Sequence, residues 1–267
     1  MTPEIWGMVA VILLGIAAVA GSMALFKVQG QWATIAAVGR ATGTASVAIT
    51  LGLAVMAQGE WSPVETRQVI LGLVLAMLCI QMVFSWRLGI RSAGPVLDVV
   101  AVALILVGVF MNWPEPQPPT CAQRSMAFGA QWVLLLLGSG STLVAGSAGL
   151  MLALRKGLAA WGKSPQQPTR EELYYQLAQA IFLALVALGS GLTVSVWWAW
   201  RTMGTLTSGD PREMWMAIAW LAAAMSQLAW HLEGHRGRWV AGLAFVAASC
   251  VVFCLLFLAQ LQILLGI

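Results

Sequence analysis

Residues 127–154 read AFGAQWVLLLLGSGSTLVAGSAGLMLAL, 28 positions without one charged side chain. As a helix at about 1.5 Å per residue this run is roughly 42 Å long, more than the ~30 Å hydrocarbon core that about 20 apolar residues cross. The same test along the rest of the chain predicts further spans at Ile5–Phe26, Ala33–Ala57, Gln68–Trp86, Gly94–Met111, Leu173–Trp200, Met214–His231 and Val240–Leu265. Composition agrees: 60% of the residues are hydrophobic and 9% charged, against roughly a quarter charged in a water-soluble domain. The expected fold class is all-α, a polytopic transmembrane bundle of about eight spans forming a single integral membrane domain over 1–267. Short polar punctuators, such as the Pro-rich Trp113–Cys121 and Trp161–Pro168, separate the spans. No linker marks a second domain, and no internal repeat stands out.

Charge sets orientation. Odd-numbered loops hold Lys27, Arg87, Arg91, Arg155, Lys156, Lys163, Arg170, Arg236 and Arg238. Even-numbered loops hold only Arg67, Arg124, Arg201 and Arg212. Basic residues concentrate on the cytoplasmic side, so both termini are expected outside. The net charge of +4 therefore speaks to membrane insertion, with lipid and not nucleic acid as the partner. Glu4 and the lack of a basic segment before the first apolar run predict a retained helix rather than a cleaved signal.

Two charges fall inside predicted spans, Arg40 and Asp98. They lie roughly 10 Å and 6 Å from the inner ends of their helices at helical rise, close enough in depth to meet. Intramembrane charges face protein or water and are usually paired. Two readings stand, a coupling site in a small-solute transporter or a structural ion pair fixing helix register. The small-residue clusters Gly138-Ser139-Gly140-Ser141-Thr142 and Gly189-Ser190-Gly191 also have two readings, close helix packing or a gap for a flat cofactor. Cys250 and Cys254, four apart in an apolar run, read as buried small hydrophobes; Cys79 and Cys121 complete the set, and no haem-attachment motif occurs.

Tryptophan clusters where the sixth span ends. Trp197-Trp198-Ala199-Trp200 is followed by Asp210-Pro211-Arg212-Glu213-Met214-Trp215 and Ala219-Trp220-Leu221. This succession resembles the tryptophan-rich signature of the CcsA/ResC cytochrome c assembly family. Leu173-Tyr174-Tyr175-Gln176 is similar to that family's entry to the preceding helix, and His231 with Gly237-Arg238-Trp239 is similar to its histidine and basic turn. The resemblance implies eight helices with both ends outside a bacterial-type inner membrane. It also implies haem delivery to the outer face for attachment to apocytochrome c, beside a ResB-like partner. Trp197, Trp198, Trp200, Asp210, Trp215 and Trp220 would line the haem surface, and His231 would be a metal ligand. No independent catalytic residue is implied.

The chain departs from this pattern in its histidines, of which it has only His231 and His235. Gln131 or Trp132 stands where the family has an outer histidine. Met203 to Gly209 replaces further tryptophan, and Leu265-Gly266-Ile267 stands where a last histidine-bearing loop is expected. Because iron in such sites takes strong axial ligands, most often histidine, haem is expected to bind the isolated chain weakly or not at all. His231 has a second reading, as an interfacial residue at a helix C-terminus, where the dipole favours a cation. A scaffold subunit of a respiratory or photosynthetic electron-transfer complex, derived from the same family, is the alternative to haem handling.

Overall fold

A computed structural model describes residues 3–26, 30–58, 65–87, 93–110, 125–160, 167–207, 210–233 and 238–265. Those residues form eight helices: α1 (Pro3–Phe26), α2 (Gly30–Gln58), α3 (Thr66–Arg87), α4 (Gly94–Phe110), α5 (Met126–Ala160), α6 (Arg170–Met203), α7 (Pro211–Glu233) and α8 (Arg238–Leu265). The described residues include no strand. Trp113–Cys121, most of Trp161–Pro168, His235 and Gly237 lie outside them.

Burial is inverted relative to a water-soluble protein. Gln68, Gln81, Gln131, Gln176, Ser139 and Thr50 are buried, while Ile12, Val38, Phe182 and Leu228 are half exposed or more. Such an outer surface suits lipid, where apolar side chains carry no cost and polar ones must be satisfied inside. The helices α1, α2, α3, α5 and α6 are long and apolar enough to cross a membrane. Within α4 and α8, the stretches Gly94–Val109 and Trp239–Leu255 are apolar but shorter. The expected span Met214–His231 corresponds to α7, which falls in neither group; Trp215, Trp220, Trp230, Ser226, Gln227 and His231 dilute its hydropathy. The architecture is that of a multi-pass membrane helix bundle.

Helix α5 is its axis. Every residue from 138 to 149 is buried, as expected of a helix surrounded by others on all sides. It packs against α6, α8 and α3, and small residues permit each approach. A methyl group added at Gly140 would lie 2.9 Å from the Met77 backbone nitrogen on α3, and one at Gly149 would lie 2.9 Å from the Ala241 carbonyl oxygen on α8. Gly138 and Gly191 meet Leu188 and Leu135 across the α5–α6 contact. The glycines of both clusters are therefore met by neighbouring helices, while Ser190 is exposed. Around this axis, α7 packs on α8 and α6, while α1 packs on α2 and α4, and α3 joins the two groups.

The ends of α6 are specified locally. Thr169 caps its start, accepting from the Glu172 backbone N–H while the Glu172 side chain accepts from the Thr169 N–H, the reciprocal arrangement of a capping box. Gly204 ends it in the left-handed region at φ 70°, donating its N–H to the Trp200 carbonyl, a conformation glycine adopts without a Cβ penalty. Both α5 and α6 extend past the expected spans, because charged and polar residues at their ends continue the helices beyond the apolar run.

Gly140→Leu or Gly149→Leu should lower the thermal midpoint of the detergent-solubilised protein, at a cost of about 1–3 kcal/mol from overpacking. Gly52→Ala, where nothing lies within 4 Å, should leave the midpoint unchanged or raise it. Equal effects at the two kinds of position would contradict the packing described.

Candidate functional site

The tryptophan-rich stretch enters the bundle where the start of α5, the end of α6, the start of α7 and the middle of α8 converge. Asp210 begins α7 as its N-cap: its carboxylate accepts from the Arg212 backbone N–H at 2.9 Å, with Pro211 as the first helical residue. Asp and Pro are favoured at these positions because one satisfies an orphan N–H and the other has none to lose. The same carboxylate pairs with the Arg212 guanidinium at 2.7 Å. That guanidinium also lies 5.0 Å above the Trp132 ring, within cation–π range.

Glu213, third in the helix, reaches across to two other helices. Its Oε1 accepts from Gln131 Nε2 on α5 at 3.0 Å and from Ser195 Oγ on α6 at 2.5 Å. Consecutive residues on α5, Gln131 and Trp132, thus meet consecutive residues on α7, Glu213 and Arg212. Both α5 side chains are shut from solvent, at 0% and 2% exposure. Among the described residues, Gln131 Oε1 and Trp132 Nε1 find no hydrogen-bond partner.

The tryptophans do not share one surface. Trp198 is buried, donates to Ser125 Oγ at 3.0 Å and stacks at 4.9 Å on Phe128 of α5. Trp215 packs 4.6 Å from Phe253 of α8. Trp220 donates to the Leu185 carbonyl at 3.1 Å, its indole fitting beside Gly189. Only Trp197 and Trp200 face outward, at 53% and 60% exposure. His231 is exposed at the far end of α7, 3.4 Å from Gln227. Sixteen residues of helix, about 24 Å at helical rise, separate it from Trp215.

Arg40 and Asp98 meet in the opposite half of the bundle, with Nε 2.7 Å from Oδ1 and Nη2 2.6 Å from Oδ2. Asp98 is fully buried and Arg40 nearly so. Such a two-pronged geometry is the strongest an arginine and a carboxylate make. Helix α1 lies against both α2 and α4, touching Gly39 through Leu13 and Ala17 and touching Pro95 through Gly21. The pair ties α2 to α4 past this intervening helix. Gly94, one turn before Asp98, leaves the space the guanidinium occupies; a methyl group there would collide with it. Near this end Gln176 donates to Gln81 Oε1 at 2.8 Å and accepts from the Ala93 N–H at 3.3 Å, joining α6, α3 and the start of α4.

Sequence reading missed Glu213, Gln131, Ser195, Gln81 and Gln176 as inter-helix ties. The available signal was polar side chains within or flanking apolar runs, which a search limited to charges inside spans passes over. Among the described residues no cluster of three or more His, Cys, Asp or Glu forms a metal site. Cys79, Cys250 and Cys254 are free thiols.

Arg40→Leu or Asp98→Leu alone should destabilise the protein strongly, by about 3–5 kcal/mol, because each leaves a buried charge unpaired. The double change should cost less than the sum of the two, and Gly94→Ala should reproduce part of the single-variant loss. Thermal unfolding in detergent reads this cycle, and simple additivity would mean the residues are not coupled.

Neither a protein-family model nor a curated protein matches the chain.

Proposed function

We propose that the chain is a scaffold subunit of a membrane electron-transfer assembly. In this reading it has the helical plan of the CcsA/ResC cytochrome c assembly family, with eight spans and both termini outside a bacterial-type inner membrane. The observation that carries the reading is the use of the tryptophan-rich stretch. Trp198, Trp215 and Trp220 pack between helices, and Asp210 caps α7. A haem cradle needs aromatic faces turned to a common space and an axial ligand beside them. What speaks against such a site within one chain is that three of these indoles are packed against helices, while His231 stands at the other end of α7.

Haem handling is the second reading, and one observation favours it. Trp197 and Trp200 expose their indoles one turn apart at the end where Asp210 lies, so a partner such as a ResB-like chain carrying the histidine would complete a haem surface there. The transporter reading drew on Arg40 and Asp98, whose closed pairing past α1 suits a helix tie better than a site that must open to a solute.

Gentle purification with an absorption spectrum and identification of co-purifying chains separates these readings. The scaffold reading expects a protein without its own Soret band that stays bound to a larger electron-transfer assembly. A stoichiometric Soret band lost on His231→Ala would overturn it. For topology, reporter fusions after Ala93 and Leu154 should report a cytoplasmic location, and a fusion at the C-terminus an outside one; a cytoplasmic C-terminus would contradict both the eight-span arrangement and the family reading.

A further inference from the structure

Among the described residues the exposed tryptophan and tyrosine side chains are Trp86, Tyr175, Trp197, Trp200 and Trp239. Trp86 is on α3, Tyr175 on α6 and Trp239 on α8, the three helices that pack round α5. Contacts at glycine fix the register of each against α5. Gly72 meets Leu136 and Gly140 meets Met77, so α3 runs parallel to it; Gly138 meets Leu188 and Gly191 meets Leu135, so α6 runs antiparallel. Helix α8 is antiparallel too, with Gly146 beside Ala248 and Gly149 beside Ala241. Carried along the helices at equal rise, these contacts put Trp86, Tyr175 and Trp239 within about one turn of the level of Met151. Toward the other end they put Trp197 within about one turn of the level of Gln131, with Trp200 one turn further on.

Twenty-two residues of α6 separate Tyr175 from Trp197, about 33 Å at helical rise and close to the ~30 Å hydrocarbon core of a bilayer. No charged residue of α6 falls between them: Glu171 and Glu172 precede Tyr175, and Arg201 follows Trp200. Phe182, Leu183 and Val186 are exposed in that interval, and the exposed polar residues there, Gln179, Ser190 and Thr193, are uncharged. Tryptophan and tyrosine have an apolar body and one polar tip, and they collect where hydrocarbon meets headgroups. We propose that the two interfaces of the bilayer lie at these two levels, and that the five rings form a contact surface for phospholipid headgroups. Their N–H and O–H groups donate to lipid ester and phosphate oxygens. Three rings on three helices around α5 define a plane, so the level of Trp86, Tyr175 and Trp239 sets the tilt of the bundle as well as its depth. At the other end Met203 stands six residues beyond Trp197, about 9 Å. That clears a headgroup layer of roughly 5–7 Å and brings Met203 to water. The placement is the same whether the chain is a scaffold or handles haem.

The test uses the unmodified full chain in phosphatidylcholine nanodiscs, so no variant has to fold. The lipid contains a photoactivatable diazirine either in the headgroup or at the end of an acyl chain, and labelled residues are read by mass spectrometry. The headgroup probe should mark Trp86, Tyr175, Trp197 and Trp239, and the chain-end probe should mark Phe182, Val186 and Met225. Hydroxyl radicals generated in the water supply an independent reading. Met203 and Met225 are similarly exposed on the protein, at 49% and 53%, yet Met203 should oxidise several-fold faster because lipid covers only Met225. Chain-end labelling of Tyr175 or Trp239 as strong as that of Val186 overturns the proposal. So does equal oxidation of Met203 and Met225, or the absence of headgroup labelling at all four rings.

Discussion

Helices in a bilayer are not driven together by the hydrophobic effect, because lipid tails are as apolar as the side chains they would replace. Association rests on dispersion, on hydrogen bonds between helices and on how closely backbones approach. In this protein the close approach is concentrated on α5. The continuous buried run from 138 to 149 lets α3, α6 and α8 come near enough that an added methyl group at Gly140 or Gly149 would strike backbone atoms. Through this run α3 and, more weakly, α4 reach α5, the broadest packing between the first four helices and the last four, beside the Gln176 tie from α6 to α3 and the start of α4.

Hydrogen bonds add specificity to this packing. At one end the Glu213 carboxylate joins α7 to α5 and α6; towards the other, Gln176 joins α6 to α3 and the start of α4, and Arg40–Asp98 joins α2 to α4. All but the Ser195–Glu213 contact link helices that are not consecutive in sequence, so a slip of one helix against another would break a polar pair inside the bundle. Buried ion pairs add little net stability compared with well-packed apolar residues. Fixing register is the role their geometry supports, and the space Gly94 leaves for Arg40 fits it.

The helical class and most of the span positions were legible in the sequence because apolar length is a strong local signal. The tie between Arg40 and Asp98 was legible for a related reason, since a charge at membrane depth requires a partner. The tryptophan stretch was legible only as a cluster. Neighbouring residues on a helix point about 100° apart, so the cluster divides, Trp198 inward against Phe128 and Trp197 outward. Glu213 was hidden because Asp210-Pro211 starts α7 earlier than the apolar run suggests, carrying the carboxylate into the bundle. Gln131 was visible only as the residue standing where the family resemblance expects histidine, and its buried contact with Glu213 depends on packing that no local pattern encodes.

The scaffold reading and the packing account share one requirement, a rigid centre around which helices of different chains can be organised. Amide hydrogen exchange tests this most directly, because protection follows the free energy of opening each segment. In detergent or nanodiscs, the amides of residues 138–149 should be the last in the protein to exchange, with α1 and α2, whose outer faces are open, exchanging earlier. Exchange of the 138–149 segment together with α1, or before it, would contradict the role assigned to α5.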